Sequence, residues 1–375
     1  MRSKLWILAV ILPLFLNLTA VCTSAEMPEG YSDIVENLGE DVEKYLHEGI
    51  YSENSDEVGS AVTEMSKGEF WLRTAADIFE DELTYSIKLF SKLLAFVVLS
   101  AVFGAFGRSF SSEALSGAVR FCSTTAIFAS VIHLESEHLM RVETFFDRLS
   151  GMMGAMIPVT GAIWAMGGNV GTASASTSAL YVFMNVCQGV FAKSVLPVCC
   201  LFSALALCNS LSLEMGLDGL CGALKRTYTT FLGIIMTVLV ASLASQTTLT
   251  SSADSMSARA AKLISANVIP VVGASVGDTL RTVATSVQYL KGVVGIGGII
   301  FIALLLLPVL ISLLLSRLAF LLSGGIADML GCSTESKFLS ELGGVYSIMI
   351  AVVSISSVMF IFALTIFSKT VVAVA

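Results

Sequence analysis

Long apolar runs separated by short polar stretches dominate the chain beyond residue 86. A membrane-spanning helix needs roughly 20 apolar residues, whereas runs of about 10 to 14 are typical of re-entrant or buried segments. The pattern therefore predicts an all-α fold, a polytopic bundle of membrane helices. The predicted spans are 87–106, 115–132, 181–196, 199–213, 231–243, 263–276, 293–307, 309–322 and 345–367.

Two proline motifs occur in the same order in two parts of this apolar region. The sequence IPVTG at 157–161 recurs as IPVVG at 269–273, and LPV at 196–198 recurs as LPV at 307–309. Every proline beyond the N-terminal region belongs to one of these motifs. The recurrence predicts an internal duplication.

The predicted repeat units are 149–246 and 259–367, and each has an aspartate-bearing turn after its second proline, at Asp218 and Asp328. Four helical segments in each unit would make the two copies parallel. An odd number would make them inverted, and the sequence leaves both arrangements open.

Proline and glycine interrupt the hydrogen bonding of a helix, and in membranes such breaks persist where protein or a water-filled cavity satisfies the freed backbone groups. Paired breaks in two halves are typical of transporter binding centres. We therefore predict broken helices, with half-membrane helices around Pro158 and Pro270. The candidate conduit residues are Pro158, Gly161, Pro197, Pro270, Gly273, Asp278, Arg281 and Pro308.

Composition agrees with a membrane protein, because 55% of the 375 residues are hydrophobic and 13% are charged, with a mean hydropathy of +0.84. A soluble domain has charges at about a quarter of its positions. The formal net charge of -8 comes from one segment, since residues 26–82 hold 17 of the 29 carboxylates and three cations. Neither part has the clustered basic stripe that nucleic-acid binding requires.

The first 25 residues have the outline of a secretory signal peptide, with a short basic start, an apolar stretch and small residues before a polar sequence. An uncleaved anchor helix is the alternative. In either case we expect the acidic segment 26–86 outside the cytoplasm. Apolar positions on one face predict a helix over 31–46 that packs on the membrane domain.

Residues 87–148 are predicted to form two transmembrane helices and an external loop, with the acidic stretch 135–147 in the loop. Cations favour the cytoplasmic side of membrane proteins. The cations expected on that side are Arg108, Lys225, Arg226, Arg281, Lys291, Arg317 and Lys337.

No enzyme, metal site or cofactor is predicted. The sequence GASVG at 273–277 matches a nucleophile-elbow pattern, but in this apolar context it is typical of close helix packing. His133 and His138 are five residues apart, which does not place both rings on one helical face. The sequence contains no Walker-type phosphate loop, so any energy source must be another subunit.

The stretch 259–273, RAAKLISANVIPVVG, with Asp278 and the sequence KGVVGIGG at 291–298, resembles the stage III sporulation protein AE family of endospore-forming bacteria. The resemblance extends over most of the chain and is strongest in this stretch. It implies a mother-cell membrane component of the channel between the mother cell and the engulfed forespore, needed for late forespore development. The implied partners are a secretion-type ATPase, small membrane proteins, ring-forming subunits and a forespore-side protein.

Two mechanisms fit this expectation. The repeats could form a conduit shaped by the broken helices, or the protein could be an assembly platform whose acidic segment recruits ring subunits. A stand-alone secondary transporter built from two repeats is the alternative function.

Overall fold

The computed structural model describes residues 26–109, 113–166, 172–211, 219–238, 241 and 273–369. The described chain is helical, apart from one isolated β-bridge between Glu26 and Asn54. The all-α prediction is therefore confirmed. The predicted signal peptide, 1–25, lies outside the described residues, as does most of the second proline motif, so the cleavage and the duplication stay predictions.

Residues 26–66 form a small helical domain, which we call the cap. It contains α1 (Tyr31–Glu36), α2 (Glu40–Glu43), a 3-10 turn (Glu48–Tyr51) and α3 (Ser55–Met65). The single helix predicted over 31–46 is wrong, because Gly39 has a left-handed φ of +77° that separates α1 from α2. The predicted apolar face is nevertheless buried, with Ile34, Val35, Leu38 and Val42 in the core.

Five long helices follow the cap within the described residues, together with a shorter one. They are α4 (Gly68–Ser109), α5 (Glu113–Met166), α6 (Thr172–Leu211), α7 (219–238), α8 (Gly273–Met329) and α9 (Ser333–Lys369). Among the described residues, four stretches are long and apolar enough to cross a membrane, which fits a membrane protein. They are Gly68–Phe106, Met184–Ser210, Thr285–Met329 and Ser333–Thr365.

Several predicted spans are joined in single helices. The spans 181–196 and 199–213 share α6, apart from the end of the second span, and 293–307 and 309–322 share α8. At 1.5 Å per residue, the 57 residues of α8 extend about 85 Å, well beyond the roughly 30 Å of a hydrocarbon core. A large part of α8 must therefore lie outside the lipid.

The hairpin of α8 and α9 forms the centre of the bundle. Gly331, with φ +77°, ends α8, and the Cys332 amide donates to the Ala327 carbonyl at 2.9 Å, a helix-terminating turn. Helix α4 packs on α8, α6 packs on α9, and α5 contacts α4, α6 and α8. Every side chain of 291–310 and 341–361 is buried or half-buried. The most apolar segments are thus enclosed by protein.

The cap packs on α5 and α8 through close contacts at small residues. Gly59 of α3 lies against Tyr289 of α8, whose hydroxyl donates to the Ser55 carbonyl at 3.3 Å. Gly151 of α5 lies against Asn37 of the cap. The acidic segment is therefore a docked domain, with its apolar side against the bundle.

Two topological predictions are wrong. The acidic stretch 135–147 belongs to α5 and forms no loop, because the apolar and polar residues of 113–166 build one continuous helix. Lys291 lies near the cap, about 50 Å along the hairpin from Lys337, as their spacing from the α8–α9 turn shows. Because the chain between them forms two continuous helices, Lys291 and Lys337 cannot both lie at the cytoplasmic membrane surface, as the sequence predicted.

Candidate functional site

Helix breaks are predicted at four prolines, and three of these prolines lie within the described residues. None of the three ends a helix. Pro158 lies within α5, Pro197 within α6 and Pro308 within α8. A proline removes one backbone donor from a helix. In a long packed helix, neighbouring groups compensate this loss, so the expectation of broken helices at these three positions is wrong.

These residues also do not converge on one height of the bundle. Met156, two residues before Pro158, packs on Gly298 of α8. Pro308 lies ten residues after Gly298, about 15 Å further along the helix. Pro158 and Gly161 are exposed, as is Pro197, whereas Pro308 is half-buried.

The remaining candidates are less completely described. Gly273, Asp278 and Arg281 lie in the first turns of α8, where the structure gives the helical backbone. Pro270 lies outside the described residues. A conduit role for these residues therefore stays a prediction.

A different set of polar side chains does come together, at the junction of α4, α5, α8 and α9. We call it the His138 cluster. Each helix except α9 contributes residues three or four positions apart, which lie on one helical face. Its members are Glu82 and Tyr85 of α4, Glu137, His138 and Arg141 of α5, Ser312 and Ser316 of α8, and Tyr346 of α9.

The outer part of the cluster contains its charges. Arg141 Nη1 lies 2.8 Å from Glu82 Oε1 and 3.4 Å from Ser312 Oγ. The Tyr85 hydroxyl donates to Glu137 Oε2 at 2.8 Å, and the guanidinium carbon of Arg141 lies 5.5 Å from the centre of the Tyr85 ring. The Glu82 side chain is 14% exposed and that of Arg141 is 46% exposed. The ion pair therefore links the bundle surface to its interior.

The inner part is almost fully buried. His138 is 1% exposed, and its Nε2 lies 3.0 Å from Ser316 Oγ. Its ring packs edge-on against Tyr85, at 5.8 Å between centres, and against Tyr346, at 5.4 Å. Tyr346 in turn packs on Phe320 of α8. His138 thus joins the charged outer contacts to the central hairpin.

This arrangement couples α4, α5 and α8 through polar contacts and joins α9 to them through the packing of Tyr346 on the His138 ring. Ionisable groups inside membrane bundles are costly, and they commonly mark ion paths, relays or gating contacts. Moving α4 and α5 relative to α8 and α9 would separate Arg141 from Ser312 and His138 from Ser316 together. The cluster is therefore the strongest candidate functional site among the described residues.

In the sequence, His138 stands out only beside His133, in a spacing that does not favour a metal site. No local pattern connects it with Glu82 or Ser316, which lie 56 and 178 residues away. The available signal was the spacing, because Glu82 with Tyr85, His138 with Arg141 and Ser312 with Ser316 are each three or four residues apart, although only the two serines stand in an otherwise apolar stretch.

A second group of charges lies near the α8–α9 turn. Ser100 of α4 donates to Glu335, Lys225 of α7 pairs with Glu341, and Lys337 donates to Asn209 of α6 at 3.5 Å. These contacts attach α4, α6 and α7 to the first turns of α9.

Comparison with known proteins identifies the family. The family model of Stage III sporulation protein AE (spore_III_AE) matches residues 57–370, most of the chain. The chain belongs to the stage III sporulation protein AE family. It is similar to Stage III sporulation protein AE of Bacillus subtilis (strain 168), with 22% identity over 364 residues that cover 92% of this chain and 90% of that protein.

Family membership implies a role in sporulation, which agrees with the resemblance seen in the sequence. The matched region contains all of α4 to α9 and begins inside α3 of the cap. It therefore includes the His138 cluster. No solved structure matches the chain.

Proposed function

We propose that this protein is a core or anchoring subunit of the transenvelope channel between mother cell and forespore, required for late forespore development. The observation that carries the proposal is the family match over residues 57–370. The four long apolar helices support a multi-pass position in a membrane. The proposed location is the mother-cell membrane that faces the forespore.

The proposed partners are a secretion-type ATPase, small membrane proteins, ring-forming subunits and a forespore-side protein. An external ATPase is consistent with the sequence, which contains no Walker-type phosphate loop. A large membrane subunit without its own nucleotide site would depend on such a partner for energy.

Deletion of the gene in its host tests the proposal. We expect normal engulfment, followed by a forespore that shrinks and loses late gene expression, because the channel would be incomplete. Forespore volume and a late forespore reporter measure this outcome, and reintroduction of the gene is the control. Normal spores in the deletion strain would contradict the proposal.

The platform mechanism is supported by the surface of the cap. Its exposed residues include many carboxylates, among them Glu29, Glu36 and Glu53, while its apolar side packs on the bundle. Opposite charges on a partner would favour association with this surface. Removing the whole cap would uncover buried parts of α5 and α8, so charge reversal is the sharper test.

A variant with lysine at Glu29, Glu36 and Glu53 should disperse fluorescently tagged ring subunits while the protein itself still inserts. The matched control reverses three exposed acids on α4, Glu69, Asp77 and Glu80. Unchanged ring localisation in the cap variant would exclude this surface as the recruiting site.

The conduit mechanism is supported by the polar His138 cluster inside the bundle, and of the predicted breaks it retains Pro270, which lies outside the described residues. It predicts that Pro270→Leu leaves the protein inserted and abolishes transport into the forespore. Full spore formation by that variant would contradict a conduit shaped at Pro270.

The alternative function is a stand-alone secondary transporter. Such a protein would move its substrate without the other channel components. Solute uptake by the purified protein in liposomes would favour this alternative over the channel subunit. The same uptake in cells should then be unaffected by deletion of the partner genes.

A further inference from the structure

Among the described residues, several buried polar side chains have no protein partner for their polar atoms, and two of them, Gln188 and Ser356, lie at the junction of α5, α6 and α9. Gln188 of α6 is 1% exposed, and neither its Oε1 nor its Nε2 has a hydrogen-bond partner. Ser356 of α9 is 0% exposed, and its Oγ also has none. Leaving such groups unpaired costs free energy, so each requires a physical explanation.

The register of α5 and α9 places the two groups at one height. Met156 of α5 and Leu364 of α9 both pack on Gly298. Phe128 of α5 packs on Phe338 of α9 nearer the other end, so the two helices run parallel. Ser150 precedes Met156 by six residues, and residue 358 precedes Leu364 by six residues. In parallel helices these two positions therefore lie at one height.

Helix α6 meets α5 at this same height, because Ser150 Oγ lies 3.5 Å from Asn185 Oδ1. Gln188 follows Asn185 by three residues, nearly one turn, so it lies on the face that contacts α5. Ser356 lies two residues from the height of Ser150, about 3 Å along the helix axis.

The face of Ser356 also points to this junction. Ser356 follows Phe338 by 18 residues, which is five full helical turns, so both residues share one face of α9. Phe338 packs on α5 through Phe128, with ring centres 5.9 Å apart. The helix register therefore brings Ser150, Asn185, Gln188 and Ser356 to one height where α5, α6 and α9 meet, and we call these four residues the polar seam.

We propose that this seam is an internal water-binding site, in which the Gln188 carboxamide and the Ser356 hydroxyl bind the same water. All four seam side chains are neutral, so the seam supplies no charge to neutralise an ion. Buried waters in proteins commonly make about three hydrogen bonds to otherwise unpaired polar groups. The bound water would supply hydrogen bonds that the surrounding apolar side chains cannot make.

Apolar substitutions test the proposal through the sign of their effect. Gln188→Met and Ser356→Ala should each lower the melting temperature of the purified protein, because each removes a ligand of the bound water. The melting temperature of the double variant should be no lower than that of the more severe single variant, since both changes remove the same water. If the groups were simply unpaired, these substitutions would raise the melting temperature or leave it unchanged, and the proposal would be wrong.

Ser357→Ala is the matched control on the neighbouring residue, whose hydroxyl donates to the Val353 carbonyl at 3.0 Å within its own helix. Its effect should add to that of Gln188→Met. If Ser357→Ala and Gln188→Met were as non-additive as Ser356→Ala and Gln188→Met, the cause would be a general packing effect. That result would also contradict a water shared by Gln188 and Ser356.

Hydroxyl-radical footprinting by X-ray pulses provides a second measurement on the wild-type protein. Met153, buried one turn from Ser150, should be oxidised by radicals formed at the bound water, and Gln188→Leu should reduce that oxidation several-fold. Oxidation of Met153 that is the same in both proteins would contradict a water held by Gln188.

Discussion

At the scale of single residues, the contact between Arg141 and Glu82 decides how the outer part of the His138 cluster is held. The carboxylate is mostly buried, and its Oε2 has no hydrogen-bond partner, so Arg141 supplies the contact that offsets its charge. A buried charge that loses its counter-ion is destabilising, whereas removal of both charges is often tolerated.

Arg141→Met should therefore destabilise the protein by about 1–3 kcal/mol, because it leaves the Glu82 carboxylate without its partner. Glu82→Met added to Arg141→Met should recover much of that loss. Denaturant unfolding in detergent, followed by tryptophan fluorescence, measures Arg141→Met, Glu82→Met and the double variant.

The control for this cycle is the exposed pair of Lys67 and Glu64, 3.9 Å apart. Lys67→Met should change stability by less than about 0.5 kcal/mol, because exposed ion pairs contribute little. Additive losses in the Arg141 and Glu82 double variant would show that the two side chains act independently.

At the scale of elements, the docking of α3 on α8 depends on the absence of a side chain at Gly59. A Cβ at this position would overlap the Tyr289 hydroxyl, which donates to the Ser55 carbonyl. Gly59→Leu should therefore displace the cap and cost about 1–3 kcal/mol, typical of overpacking. Hydrogen exchange over 26–66 should rise strongly in this variant.

Three further variants separate docking from a general effect of glycine replacement. Gly59→Ala combined with Tyr289→Phe should retain more docking than Gly59→Ala alone, because it removes the nearest overlapping atom. At Gly154 of α5 a Cβ meets no neighbouring atom, so Gly154→Ala should be neutral or slightly stabilising. Unchanged exchange of the cap in Gly59→Leu would contradict the docked arrangement.

The elements could be predicted from the sequence where one periodic signal decides them. The apolar face of the cap and the apolar runs of α4, α6, α8 and α9 were found this way. The helix through Pro308 could not, because a proline signals a break, whereas tertiary packing decides whether the helix continues. The His138 cluster depends on contacts between residues far apart in sequence, which no local pattern records.

At the scale of the whole molecule, the distribution of charge along α4 indicates which part of the bundle can contact lipid. Arg141 contacts both Glu82 of α4 and Ser312 of α8, so these two residues lie at one height. Ser100 contacts Glu335 beyond the end of α8, so α4 and α8 run in the same direction. Residues 68–82 of α4 therefore lie beside the strongly apolar residues 298–312 of α8.

Residues 68–82 of α4 do not form a surface that could face lipid. Charged side chains exposed to hydrocarbon are very costly, and α4 exposes several of them before Glu82, namely Glu69, Arg73, Asp77, Glu80 and Asp81. The other half of α4 exposes mainly apolar side chains, with Lys88 and Lys92 as exposed cations near its start; the apolar ones are Ile87, Val98, Leu99, Val102, Phe103 and Phe106. We infer that lipid surrounds the half of the bundle near the α8–α9 turn, while the half that bears the cap faces water.

Spin labels can test this placement in proteoliposomes. In a background without native cysteines, a nitroxide at Asp77→Cys should be accessible to a water-soluble nickel relaxation agent, because α4 faces water there. A nitroxide at Val102→Cys, 25 residues or about 37 Å further along the helix, should instead be accessible to oxygen, which concentrates in lipid. Oxygen-dominated relaxation at position 77 would place lipid around the charged half. The acids of α4 would then need a neighbouring subunit to shield them, and the most apolar stretch of α8 would lie at membrane depth behind them.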